Sequence, residues 1–426
     1  MTSILGLPLP TGWSSSPLKY VTTVLNRGTA PVYVDDGPVR AVSQGANQPS
    51  GLDWSRTRFH AFSGDPRKLK GYLQPGDVII NSTGTGTLGR VGQFTGSPDG
   101  TPCVADGHVT VARADLRELH PRFSYYWLLS RPFQEYVFAA LVVGATNQIE
   151  LNRERLGEAP VPLPPLEEQR RIADFLDAET ARIDRLSAVM RSQDELLSNR
   201  RSAVLATTWQ SGCPLVRLGY FLSLVTSGPR GWGEYVGDEG RMFFRSANLR
   251  RDSIEPNLGS VAHVAPPDSA LVESFRSSVR LGDVLVGITG ANAGWVCLAG
   301  EDIEGANVSQ HVCLIRPSRY VSGTWLAYLL SSPAVQDSLL GSQYGGTKTQ
   351  LSLPDLRNLN VPMPELSEQE AVADEIRLHI GAIESERGAR GRQLTLLTER
   401  RQALITAAVT GQLDVTTARP AHDRDL

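Results

Sequence analysis

The sequence predicts an α+β chain of two duplicated globular domains, joined and spaced by two long antiparallel coiled-coil helices. Three observations predict it: an internal repeat offset by 200 residues, two long stretches of helical periodicity that begin at that repeat, and short apolar runs set among turn residues everywhere else. Val161-Pro-Leu-Pro-Pro-Leu-Glu-Glu-Gln169 returns as Val361-Pro-Met-Pro-Glu-Leu-Ser-Glu-Gln369, and 15 of the 44 ungapped pairs from 161/361 to 204/404 are identical. Unrelated segments of average composition would share about two or three. Upstream the match needs small gaps: Gly76-Asp77-Val78 aligns with Gly282-Asp283-Val284, Gly107-His108-Val109 with Gln310-His311-Val312, and Tyr126–Pro132 with Ala327–Pro333. The chain thus divides into a first globular domain (1–165), a helix (166–212), a second globular domain (213–365), a second helix (366–412) and a tail (413–426).

Each helix follows a proline-rich stretch, which keeps the preceding backbone extended, and Ser367 with Glu370 reads as a capping box. In the first helix, positions 172, 176, 179, 183, 186, 190, 193, 197, 200 and 204 follow alternating steps of four and three, and seven of the ten are apolar: Ile172, Leu176, Ile183, Leu186, Met190, Leu197 and Val204. That spacing is the seam of a coiled coil. The second helix keeps the register at Val372, Ile376, Ile383, Leu397 and Leu404, while Gly381, Gly388 and Gly391 are expected to weaken its middle. A helix of ~40 residues is ~60 Å long, and its apolar seam requires a partner; the other copy supplies one. In the globular parts, strands are expected at Asp77–Asn81, Val109–Ala112, Val284–Ile288 and Val312–Ile315, and helices at Ser124–Phe138 and Gly323–Leu339.

Composition excludes several chemistries. The net charge is −3 over 426 residues, with +2 over residues 1–165 and −2 over 213–365, less basic than a free-standing DNA-binding domain. The four lysines (Lys19, Lys68, Lys70 and Lys348) complete neither an Asp/Glu-x-Lys nuclease element nor a Walker A Gly-Lys. Neither Pro-Pro pair sits in the Asn/Asp-Pro-Pro-Tyr/Phe motif of amino-methyltransferases, and HExxH and GxSxG are missing. Gly84-Thr-Gly-Thr-Leu-Gly89 matches GxGxxG, but Arg90–Pro98 is a poor helix former and the repeat counterpart Thr289–Gly294 loses the pattern. A dinucleotide site needs a helix N-terminus at the last glycine; a tight glycine turn is expected instead. Cys103, Cys213, Cys297 and Cys313 form no CxxC pair, so neither zinc nor a disulfide framework is expected. His108 and His311 stand beside apolar strand residues, and structural roles are expected for both. No apolar run reaches the ~20 residues of a membrane span and no secretory signal is recognisable, so a cytoplasmic location is expected.

The order of parts, with two dissimilar globular domains each followed by a helix introduced by Pro-x-Pro-x-Leu-x-Glu-Gln, resembles the specificity subunits of Type I restriction-modification enzymes. The resemblance rests on Val161–Gln169, Val361–Gln369, the Gly-Asp-Val elements and the ending Leu404–Asp414. It implies a non-catalytic recognition subunit in which each globular domain is a target-recognition domain reading one half of a bipartite double-stranded DNA site. The paired helices would serve as a ruler and as the docking surface for two methyltransferase (modification) subunits, with motor-nuclease (restriction) subunits joining that assembly. The family also implies that this chain holds no cofactor: S-adenosylmethionine, ATP and magnesium belong to the partners, which would also complete a positively charged DNA channel. Two other readings stay open on the residues: a specificity chain whose partner combines methylation and cleavage, and a coiled-coil scaffold that binds no DNA.

Arg and Lys pair with guanine edges and Asn and Gln with adenine, which selects the candidates. In the first domain they are Arg56, Arg58, Arg67, Lys68, Lys70, the loop from Asn81 to Arg90, and Asn147 and Gln148. In the second they are Arg241, Arg245, Asn248, Arg250, Arg251, Asn292, Lys348 and Gln350. The loops Thr146-Asn147-Gln148 and Thr347-Lys348-Thr349-Gln350 occupy matching places and differ in sequence, as two domains with different targets would.

Overall fold

A computed structural model of the chain describes residues 3–143, 149–209, 212–341 and 350–415. They form two compact units, residues 1–190 with 392–426 and residues 191–391.

The first unit holds two four-stranded sheets built from β1 (Thr22–Arg27), β2 (Tyr33–Val34), β3 (Val39–Val42), β4 (Arg58–His60), β5 (Val78–Asn81), β6 (Val91–Gln93), β7 (Cys103–Ala105) and β8 (Val109–Ala114). The orders are β6-β5-β8-β1, antiparallel throughout, and β7-β3-β4-β2, in which β7 runs parallel to β3. Helices α1 (Pro121–Leu129) and α2 (Arg131–Tyr136) follow, and then the long α3 (Leu166–Ala206). The second unit repeats the plan with β9 (Leu222–Ser227), β10 (Val236–Gly237), β11 (Arg241–Phe244), β12 (Ala262–Val264), β13 (Val284–Gly287), β14 (Val296–Leu298), β15 (Asn307–Val308) and β16 (Val312–Pro317). Its orders, β14-β13-β16-β9 and β15-β11-β12-β10, match strand for strand, including the parallel β15–β11 pair. Helices α4 (Gly323–Leu330), α5 (Pro333–Gly341) and α6 (Leu366–Val409) complete it. The duplication read from the sequence is therefore a duplication of topology.

The central strands read as unbroken apolar runs because both their faces are covered: all four residues of β5 and of β13 are buried. The helix expected at Ser124–Phe138 is in fact two, parted at Ser130, whose ψ of 150° is extended. The helix expected at Gly323–Leu339 likewise stops at Leu330 and restarts at Pro333. Proline has no N–H to donate and its ring collides with the carbonyl four residues back, so Pro132 and Pro333 fit only a new first turn.

The Gly-Asp-Val repeat gains a physical reason. Asp77 is buried and receives a two-pronged ion pair from Arg113 at 2.7 and 2.8 Å, and the same guanidinium donates to the Tyr72 carbonyl at 2.8 Å. Asp283 and Arg316 repeat this at 2.8 and 2.7 Å, with the Ser278 carbonyl as third acceptor. The glutamine closing each Pro-x-Pro-x-Leu-x-Glu-Gln motif is equally determined. Gln169, 1% exposed, accepts from the His120 amide and donates to the carbonyls of Glu118 and Pro164. Gln369, fully buried, does the same with the Ser322 amide and the carbonyls of Tyr320 and Pro364. Each long helix is thereby fastened to the domain before it.

Within each unit the long helices pair antiparallel. In the first, Ile172 and Leu176 near the start of α3 share a core with Ile405, Ala408 and Val409 near the end of α6, and farther along α3 Asp184 faces the earlier residue Arg401 at 3.6 Å. In the second, Leu205 shares a core with Ala373, Ile376 and Ile380, and Asp194 pairs with Arg387 at 3.0 Å. Ile172, Leu176, Ile183, Leu197, Ile376 and Ile383 are buried, while Leu186, Val372, Leu397 and Leu404 are half-buried. Sequence reasoning missed Ala373, Ile380, Ile405, Ala408 and Val409. Ile405, Ala408 and Val409 lie on the seam because a 3.6-residue helix drifts about 20° per heptad from a strict repeat of seven, whereas Ala373 and Ile380 flank it because the covered stripe of a core-facing helix is wider than two positions per heptad. Helix α6 runs unbroken through Gly381, Gly388 and Gly391, since glycine costs only about 1 kcal/mol per site.

Gly28 and Gly228, again 200 apart, sit against backbone, and a Cβ would overlap the carbonyl of Ala105 at the first and of Val308 at the second. Gly28→Ala is expected to destabilise the first unit by about 1–3 kcal/mol, the usual cost of overpacking, read as a lower urea midpoint. An unchanged midpoint would contradict this close approach.

Candidate nucleic-acid interface

The two units place one arrangement at equivalent positions. Immediately after β5, the Ser82 amide bonds to the His108 carbonyl at 2.8 Å; immediately after β13, the Ile288 amide bonds to the His311 carbonyl at 3.0 Å. The next residue is threonine in both. Thr83 Oγ1 meets His108 Nδ1 at 2.9 Å, and Thr289 Oγ1 meets His311 Nδ1 at 2.7 Å. Both histidines are exposed: the strand begins one residue later, at Val109 and at Val312, leaving each ring at the surface with Nδ1 on its threonine.

Around this constant pair the side chains differ. Backbone pairing gives the equivalences: the amides of Asp106 and Ser309 bond to the carbonyls of Val42 and Phe244, those of Ala46 and Asn248 to Ser43 and Arg245, and Thr83 and Thr289 bridge to Glu150 and Gln350. Ser43 in the first unit thus corresponds to Arg245 in the second, Gln44 to Ser246, Asp106 to Ser309, Gly107 to Gln310 and Glu150 to Gln350. In the first unit Thr83 donates to Gln44 Oε1 at 3.0 Å, and Glu150 pairs with Arg27 at 3.2 Å. Asp106, 2% exposed, accepts from the His108 amide at 2.8 Å, and its burial raises its carboxyl above the ordinary value. In the second unit Gln310 donates to His311 Nε2 at 3.1 Å, which leaves Nδ1 to donate to Thr289.

The glycine loop after β5 is a turn, with Gly84, Gly86 and Gly89 all at positive φ, and it leads into β6 rather than into a helix. It is pinned by Gln134, whose amide donates to the Gly89 carbonyl at 3.1 Å; Gln336 does the same for Gly294 at 2.8 Å.

The sequence-selected candidates differ in how far their side chains are committed within the fold. Asn81 and Asn248 are buried and internally committed: Asn81 to Asn47 and the Gln44 carbonyl, Asn248 to the carbonyls of Asn257 and Ser260. Asn292 is half-buried and donates to the Ser246 carbonyl at 2.8 Å. These three hold the recognition loops in shape. Arg90 is spent partly on Asn47 and Gln48, Arg56 on Asp53 at 2.9 Å, Arg241 on Ser274 at 3.3 Å, and Arg58 stacks over the Tyr33 ring at 4.2 Å. Arg67, Lys68, Lys70, Arg250 and Arg251 are exposed. Arg250 and Arg251 line an open cleft of about 450 Å³ with Glu384, whose carboxyl burial raises above its ordinary value, and Arg387. Arg245 is half-buried at a cleft beside His311, and Gln350 is exposed at its bridge to Thr289. Asn147, Gln148 and Lys348 lie outside the described residues. Sequence reasoning missed Gln44, Glu150, Ser246, Thr289, Ser309 and Gln310, and had Thr83 only as one residue of the candidate loop Asn81–Arg90. The aligned His-Val pairs were the available signal, but their threonine partners are 25 and 22 residues away.

Among the described residues no group of three or more His, Cys, Asp or Glu side chains is placed to hold a metal, and no helix is long and apolar enough to cross a membrane. Cys103, Cys297 and Cys313 are free thiols, and burial raises each well above the ordinary value.

Comparison with known proteins follows the same lines. Residues 38–188 and 277–394 match the family model described as Type I restriction modification DNA specificity domain. The Type I restriction enzyme EcoBI specificity subunit of Escherichia coli is 26% identical over 295 residues, 62% of this chain and 60% of that one. The chain therefore spans somewhat under two thirds of that relative's length. The putative Type I restriction enzyme MjaX specificity subunit of Methanocaldococcus jannaschii is 22% identical over 370 residues, 80% of this chain and 79% of that one. A solved chain from work on complex assembly and conformational transition of the type I R-M system shares the fold at a TM-score of 0.74, with 20% identity over 95% of this chain and all of that one. With its two matched segments covering more than half of its residues, the chain belongs to the family of Type I restriction modification DNA specificity domains.

Proposed function

We propose that the chain is the DNA sequence-specificity subunit of a Type I restriction-modification complex. Each unit reads one half of a bipartite duplex target, two methyltransferase subunits dock on the helices, and motor-nuclease subunits join through them. Catalysis and its cofactors, S-adenosylmethionine, ATP and magnesium, belong to those partners, and the complex acts in the cytoplasm. One observation carries the reading: a repeated frame of sheets, Thr–His pair and glutamine-pinned loop surrounds hydrogen-bonding side chains that differ between the units. Direct readout needs a fixed frame with variable donors and acceptors at base edges. The weak net charge fits as well, since a partner can supply most of the phosphate neutralisation that dominates affinity.

Exchanging residues 213–365 for the same region of a related subunit tests it. Sequencing of methylated bases should show one half of the target changed and the other intact. A change in both halves would defeat the modular reading. Failure of the complex with its methyltransferase to retain random-sequence duplex at low salt would favour a scaffold that binds no DNA.

A further inference from the structure

We infer that the cleft beside His311 in the second unit reads a G·C base pair, with Arg245 and Gln310 as specificity-determining residues for that half of the target. The inference rests on the proposed function and assigns chemistry within it. The cleft measures about 510 Å³ and is lined by Trp232, Glu234, Arg245, Ser309, Gln310 and His311, among others.

Three observations carry it. First, the frame here is the same in both units, yet Ser43 and Gly107 of the first unit stand where the second has Arg245 and Gln310. Whatever the fold or general phosphate binding requires should be common to both copies; what differs on an unchanged frame is what can tell two targets apart. Second, the cleft wall carries unspent polar groups. Ser309 is 4% exposed and its hydroxyl has no hydrogen-bond partner among the described residues, and neither does the buried Nε of Arg245. Among the described residues Arg40, Arg182, Arg201 and Arg401 also leave a buried Nε without a hydrogen-bond partner, but at Arg245 it shares one cleft lining with the unpaired Ser309 hydroxyl. Such groups call for an explanation, such as a ligand. The arginines at Asp77, Asp283 and Asp177, by contrast, are consumed in ion pairs. Third, the lining matches one base pair. A guanidinium pairs with the O6 and N7 acceptors of guanine, and a carboxylate such as that of Glu234 accepts from the N4 amino group of cytosine.

The test uses the full complex with its methyltransferase and maps methylated sites by sequencing. Arg245→Ala should relax the preference for G·C at one position of the second unit's half-site by about tenfold or more, leaving the first unit's half unchanged. Arg245→Lys keeps the charge but not the two-pronged geometry and should relax the same position while binding persists. Gln310 is exposed, so Gln310→Ala tests the cleft without threatening the fold, and it should relax a preference within the same half-site. Uniformly weaker methylation with every base preference intact would assign Arg245 to a phosphate and overturn the inference, as would unchanged preferences in all three variants. A wild-type complex that methylates no bipartite site would instead sink the proposed function.

Discussion

Asp283→Ala is expected to cost the second unit about 3 kcal/mol, and Asp77→Ala a similar amount in the first. Each carboxylate is almost completely buried, at 1–2% side-chain exposure, and each arginine partner retains only 23% and 17%. Removing one member of a buried pair strands the other charge, at a typical cost of 3–5 kcal/mol. Partial exposure of the guanidinium favours the low end. The carboxylates also receive the amides of Gln74 and Arg280 at 2.8 and 2.7 Å, which would lose their acceptor. Urea unfolding should therefore show a large loss for Asp283→Ala and recovery of much of it in Asp283→Ala/Arg316→Met, where neither charge remains. Equal losses in single and double variants would show that the aspartate acts through its backbone turn rather than through the ion pair.

The second large effect lies in the helix seams. Leu176→Ala and Ile376→Ala should each cost about 2–5 kcal/mol, the range for emptying a buried aliphatic site, because both side chains are buried in cores shared with the opposing helix. Leu196→Ala and Leu396→Ala are the controls. Both leucines occur in both copies of the repeat, yet they are 64% and 61% exposed, so each change should stay within about 0.5 kcal/mol. Polar replacement of Leu176, Ile183 and Leu186 together should also abolish co-purification with the methyltransferase, as the proposed docking role requires. Co-purification of a normal complex would count against that role, and a Leu396→Ala loss as large as that of Leu176→Ala would mean the seam is misplaced.

Repetition made the architecture legible. Identities shared by the two copies mark positions where both face the same constraint: Asp77 and Asp283 each hold an arginine, Gln169 and Gln369 each fasten a helix start, and Gly28 and Gly228 each admit a carbonyl. The seam was legible at Leu176 and Ile376 because helical periodicity is local. It was incomplete at Ile405 because the drift of a 3.6-residue helix accumulates with length, and at Ile380 because the covered stripe is wider than a strict two-position seam. The candidate site was much less legible. Asn81 and Asn248 have the side-chain chemistry to pair with adenine but are buried, whereas Thr83 and Thr289 resemble ordinary turn residues.

The sequence by itself determined the duplication, the two long helices with their starts after the proline-rich motif, and the family to which these features belong. Those features depend on interactions between neighbours along the chain, or on identities that survive in both copies. Only the tertiary structure decided which polar residues meet: Thr83 with His108, Asp77 with Arg113, Ser309 at a cleft beside Arg245. Such pairs are set by the register of strands distant in sequence, and a shift of one residue would turn each side chain to the other face of its sheet. Local pattern cannot distinguish an asparagine satisfied inside a loop from one offered to a base, because both obey the same turn preferences until the strands around them are paired.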